Sequence, residues 1–101
     1  MNFLANNVGN ILTKQFNVAA AGVAQQPASQ SILQGVGLVI RAKTTNTGNI
    51  WIGSSQAVAQ DHAQAFPLGA GQSVTLNINN LNVLWLDTDI AGDGVYFLAE
   101  A

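Results

Sequence analysis

The sequence predicts an all-β fold of six to eight antiparallel strands, a sandwich or a barrel, and three observations carry that expectation. Residues 73–78 alternate Val74, Leu76 and Ile78 with Thr75 and Asn77, the period of two that a half-buried strand requires. Further runs rich in aliphatic and aromatic residues, 83–88 and 95–99, follow at nearly regular spacing, separated by short turns at 79–82 and 89–94. The third observation is the stretch 35–54, GVGLVIRAKTTNTGNIWIGS, in which two apolar runs flank a polar centre containing Thr47-Gly48-Asn49. Leu38, Ile40 and Ala42 share one face of the first run, with Val39, Arg41 and Lys43 on the other; Ile50 and Ile52 share a face of the second, with Trp51 and Gly53 opposite. The stretch reads as a long antiparallel hairpin around which the rest is organised.

Taken in order, the chain opens on a segment, residues 1–14, whose four asparagines and Gly9 weaken the ragged helical stripe of Phe3, Leu4, Val8, Ile11 and Leu12. An extended N-terminal arm is expected there, followed by a single domain over 15–101. Residues 15–24, QFNVAAAGVA, alternate loosely and read as a first strand or two short ones. Pro27 ends any strand before it and marks a loop at 25–30. Residues 55–66, rich in Ala and Gln, form the main loop, with room for a turn or two of helix or a connection lying over the sheet. Residues 67–72, Pro-Leu-Gly-Ala-Gly-Gln, read as a turn feeding the strand at 73.

Composition narrows the class. At 101 residues and 10.5 kDa the chain is long enough to bury roughly two-thirds of its unfolded surface, so it needs no staple. It has no cysteine, which excludes a disulfide scaffold and thiolate zinc sites. Charged residues make up 8% of the chain against about 25% in an ordinary soluble domain, while the hydrophobic share is 49%. Amides and hydroxyls fill the gap. Such a surface lacks the mixed charge that keeps monomers apart and suits a chain packed against copies of itself or a neighbouring subunit. The net charge of −2, with Lys14, Arg41 and Lys43 the only basic residues, argues against nucleic-acid binding. No apolar run approaches the length of a membrane span, and residues 1–10 lack the features of a signal peptide, so no membrane partner is expected.

Residues 46–53 (NTGNIWIG), 67–74 (PLGAGQSV), Leu84-Trp85-Leu86 and a Gly-rich turn before a closing strand come in an order that resembles small virion structural proteins of tailed bacteriophages. The resemblance covers about residues 35–101, and its motifs are patterns of strands and turns. It implies an antiparallel β-sandwich, often jelly-roll-like, used as a capsid decoration (cement) protein, a head-fibre base or a tail component. It also implies a homo-oligomer, with a trimer favoured, the major capsid protein as partner, and a place on the capsid surface after synthesis in the host cytoplasm. The N-terminal arm would clasp an adjacent subunit or add a strand to its sheet.

Candidate sites are few, and no enzyme activity or cofactor is expected. Asp87, Asp89 and Asp93 lie within seven positions and are the nearest thing to a calcium site, but the spacing is not that of an EF-hand: Leu98 stands where the bidentate Glu is needed. Asp93-Gly94 is a turn signal in its own right, which favours turn chemistry over a metal. Asp61-His62 lies in the main loop, while Ser54, Ser55 and Ser73 sit in no nucleophile elbow, so an exposed polar loop is expected. Trp51 and Trp85 suit core or subunit-interface packing, with sugar stacking as the alternative. With the apolar residues of the arm and with Arg41 and Lys43, which could meet an acidic partner or protect an edge, they make up the expected interface. The steps Gly35-Val36-Gly37 and Gly69-Ala70-Gly71 open no strand-to-helix crossover and read as turns or bulges.

Overall fold

The computed structural model describes residues 10–33 and 35–101. Seven strands form two antiparallel sheets: β1 (Ile11–Asn17), β2 (Leu38–Ala42), β3 (Ile50–Gly53), β4 (Phe66–Leu68), β5 (Ser73–Leu76), β6 (Trp85–Thr88) and β7 (Gly94–Glu100). Sheet one has the order β1-β7-β2-β5 and sheet two the order β4-β3-β6. One short helix, α1 (Gln56–Gln60), follows β3, and a 3-10 turn (Leu81–Val83) precedes β6.

The two sheets close on a single core. Sheet one contributes Leu38, Ile40, Ala42, Val95 and Phe97; sheet two contributes Ile50, Ile52, Leu68 and Leu86; Val18, Ile32 and Leu81 come from the connections. Leu38, Ile40 and Ala42 in β2 and Ile50 and Ile52 in β3 are the alternate positions that the sequence assigns to one face, and the all-β sandwich expectation holds. The connectivity is that of a jelly roll. Gln25 pairs with Leu86 in β6 through both backbone hydrogen bonds, a one-residue strand at that edge of sheet two. Counted as the second of eight strands, it makes the two sheets 1-8-3-6 and 2-7-4-5, the double Greek key of that fold.

That topology overturns the expected hairpin. β2 and β3 lie in different sheets, and residues 43–49 cross between them. Ile40 and Ile50 do point to one interior, as their phase requires, but from opposite sides of it. The crossing is fixed by polar groups. Asn46 is buried; its Nδ2 donates to the Gly94 carbonyl (2.8 Å) and its Oδ1 accepts from the Gly94 N–H (3.0 Å). Asp93 Oδ2 accepts from the N–H groups of Thr47 and Gly48 (3.0 and 2.9 Å), and Asp89 Oδ2 from that of Asn49 (3.0 Å). The crossover is thereby tied to both ends of the β6–β7 turn. A hairpin loop, closed by its own two paired strands, has no use for such tethers.

Other boundaries shift as well. β1 starts at Ile11 and pairs with β7 from Ile11↔Glu100 to Asn17↔Gly94, so it runs across the expected border between arm and domain at residue 14. The expected strand at 15–24 ends at Asn17, and residues 18–24 are loop. Pro67 and Leu68 belong to β4 rather than to a turn, because β4 is an edge where the missing Pro N–H costs no ladder bond. The main loop does contain a turn of helix, capped by Ser55 Oγ on the Val58 N–H (3.2 Å). α1 lies on the outer face of sheet two over Gly53, where a Cβ would meet the Ala59 backbone, its Cα at 2.7 Å. Only glycine allows that approach.

Asn46→Ala takes the side-chain acceptor from the buried Gly94 N–H and one of two donors from the Gly94 carbonyl, which keeps the Lys43 N–H (3.0 Å), and should lower stability by about 2 kcal/mol. Urea denaturation followed by tryptophan fluorescence measures it; a change under about 0.5 kcal/mol, the range of ordinary surface substitutions, would show that the crossover does not depend on this clamp.

Candidate functional site

The two outer faces of the sandwich differ, and the difference defines the candidate site. Sheet two is roofed. Trp51, on its outer face, stacks on His62 with ring centroids 3.9 Å apart and planes 8° from parallel. Its Nε1–H donates to Asp89 Oδ1 (2.9 Å). Asp87 sits beside Trp51 in register on β6 and is 1% exposed. Its Oδ1 accepts from the N–H groups of Gly22 (2.9 Å) and Thr88 (2.8 Å), and its Oδ2 lies 3.0 Å from His62 Nε2. A carboxylate only accepts, so Nε2 is the donor of that pair. The 18–24 loop and the α1 loop thus meet over one buried carboxylate. α1 adds Gln56 and Gln60, which hydrogen-bond the Ala24 carbonyl (3.1 Å) and N–H (2.9 Å).

His62 is therefore more than part of an exposed polar loop: with Asp87 and Trp51 it anchors the main loop to sheet two. Sequence spacing gave no sign of a pair 25 residues apart. Among the described residues His62 has Asp87 as its sole side-chain hydrogen-bond partner, and no hydroxyl reaches it. The three aspartates do not converge either. Asp87 accepts from the N–H groups of Gly22 and Thr88, whereas Asp89 and Asp93 take the consecutive N–H groups of the crossover at 47–49, and no group of three or more His, Asp or Glu among the described residues could hold a metal ion. Trp85 is half-buried on the outer face of sheet two, opposite Gly53.

Sheet one has no roof among the described residues. Its outer face carries Ile11, Thr13 and Gln15 from β1, Tyr96, Leu98 and Glu100 from β7, Val39 and Arg41 from β2, and Ser73 and Thr75 from β5. Ile11 is 79% exposed, Leu98 48% and Tyr96 45%, and Val36 stands beside them, exposed. A shallow depression of about 310 Å³ runs between Ile11, Val36, Val39 and Leu98. Lys43 lies at the end of this face, its Nζ donating to Gln15 Oε1 (2.7 Å) and sitting 5.3 Å from the Tyr96 ring centroid.

Of the expected interface residues, Ile11, Arg41 and Lys43 come together here. Leu12 packs against the core instead, Trp51 and Trp85 lie on the other sheet, and Phe3, Leu4 and Val8 lie outside the described residues. Sequence reading missed Tyr96, Leu98 and Val39. The phase of 95–99 could have found Tyr96 and Leu98, since Val95, Phe97 and Ala99 claim the inner face, and Val39 shares the face that the phase of 38–42 gives to Arg41.

The edges of the sheets are guarded unequally. β4 carries Pro67, and Gln25 covers β6. β1 is seven residues long with Lys14 on its inward phase opposite Phe97, the placement of a charge that resists unplanned strand addition. Among the described residues no helix is long and apolar enough to cross a membrane. No family model, curated protein sequence or solved structure matches the chain.

Asp87→Ala leaves two backbone N–H groups and His62 without their acceptor under the roof and should cost about 3 kcal/mol, whereas His62→Ala, which spares the backbone pairs, should cost about 1 kcal/mol. Thermal denaturation of the two variants checks the order; equal losses would place the weight of the anchor on the imidazole.

Proposed function

We propose that the protein is a virion structural component of the decoration or cement kind, which binds the surface of a tailed-phage head and reinforces it through subunit contacts. The observation that supports this reading is the uncovered outer face of sheet one. A chain with 8% charged residues leaves exposed a sheet face set with Ile11, Leu98 and Tyr96 around half-buried Val39, while it uses side-chain hydrogen bonds and a helix to roof the other. Exposed contiguous apolar surface marks contact sites. The jelly roll is shared by viral capsid and lectin domains and by cupins, so the fold is compatible with the reading without selecting it.

The site chemistry favours the structural branch of that group. Trp51 is committed to His62 and Asp89, which leaves less of it for a sugar ring, and His62 is bonded to a carboxylate that also holds two backbone groups. A non-catalytic protein that works through its surfaces accounts for both. Its partners on this reading are the major capsid protein and further copies of itself, its location is the outer surface of the capsid, and it uses no cofactor. A tail or head-fibre position uses the same face in a different place.

Mixing the purified protein with undecorated phage shells tests the reading. Co-sedimentation at fixed stoichiometry and a raised melting temperature of the shells are expected. Protein that stays in the supernatant, with shell melting unchanged, would contradict the cement role.

A further inference from the structure

The outer face of sheet one carries its charges at opposite ends. The strand register sets three successive rows across the sheet: Ile11 beside Glu100; then Thr13, Leu98, Val39 and Thr75; then Gln15, Tyr96, Arg41 and Ser73. Lys43, two residues beyond Arg41 on β2, extends the positive end. The negative end holds Glu100, the centre is apolar, and the positive end holds Arg41 and Lys43.

We propose that this face packs on the same face of a second copy of the chain. The two copies are related by a two-fold axis that lies between the sheets, perpendicular to the strands, and passes by Leu98. A two-fold contact uses one patch on both partners, so the patch must complement itself. This one does so in one sense of crossing. Reversing the strands about Leu98 brings the row of Glu100 over the row of Tyr96 and Arg41 of the other copy, while Leu98 and Val39 meet their own counterparts. An axis along β7 would instead set Glu100 over its own counterpart, a like-charge contact that disfavours that arrangement. Sheets stacked face to face lie about 10 Å apart, within reach of a Glu and an Arg side chain extended toward each other.

This pairing rests on the reading of sheet one as a contact surface and makes a second copy, not the shell, its occupant in the free protein, so the two fail separately. Protein that binds shells yet never self-associates removes the pairing and leaves the cement role; protein that dimerises and ignores shells does the reverse.

Sedimentation equilibrium of the free protein, with three charge variants and one apolar variant, decides the matter. The wild type is expected to form a concentration-dependent dimer. Arg41→Glu and Glu100→Arg should each weaken it by about tenfold or more, since each sets like charges together, and the double reversal should restore the wild-type constant. Leu98→Asp should be monomeric with an unchanged circular dichroism spectrum, because Leu98 lies outside the core. A wild type that is monomeric throughout overturns the proposal. So does a trimer, because a self-complementary patch closes at two, and so does a double reversal no stronger than the single ones.

Discussion

The buried amide of Asn46, clamped to both backbone groups of Gly94, is the contact on which the rest of this architecture depends. It holds the chain where it leaves sheet one and enters sheet two, at the point where the last strand begins. With Asp89 and Asp93 it binds the crossover to the β6–β7 turn, so one cluster of short polar side chains sets the separation of the sheets and the start of β7. β7 then forms the centre of sheet one, pairing with β1 on one side and β2 on the other. A polar cluster can carry such weight because its backbone partners are buried and have no water to turn to.

From that clamp the two faces of the sandwich diverge. The turn that receives the crossover also carries Asp89, which holds the Trp51 indole, and Asp87 next to it gathers His62 and the 18–24 loop. Sheet two is consequently closed by loops that the clamp has positioned, with Gly53 giving α1 the room to lie flat. Nothing comparable reaches sheet one among the described residues. Its apolar outer rows stay open in a chain with too few charges to shield them, and an open, self-complementary face is what an assembling protein presents.

The sequence made five strands legible, β2, β3, β5, β6 and β7, but not their partners, nor β4 and the first half of β1, which read as loop and arm. Alternation in 38–42, 50–53, 73–76 and 95–99 identifies which side chains are buried, because a period of two needs no knowledge of the neighbour. Pairing is another matter: among the described residues β3 with β4 is the single hydrogen-bonded pair of strands consecutive in the chain. Polar residues with Gly between two apolar runs therefore suggested a hairpin where the chain in fact changes sheets. The distinction lay in Asn46 and in the aspartates 40 to 50 residues further on, whose role depends on contacts that local spacing does not encode. His62 was opaque for the same reason, its partner being a buried carboxylate on a distant strand. Tyr96 and Leu98 were within reach, as the complement of the inner face of β7.

The most direct test of the account is the proximity of Leu98 to its own counterpart in a second copy. The chain has no cysteine, so Leu98→Cys provides a single thiol, and Ala91→Cys, in the exposed turn before β7, provides the control. Treated with a short bismaleimide at micromolar concentration, the Leu98 variant should become a covalent dimer far faster than the control. Equal rates for the two, or no dimer from either, would contradict the claim that the open face of sheet one is the surface through which this protein assembles.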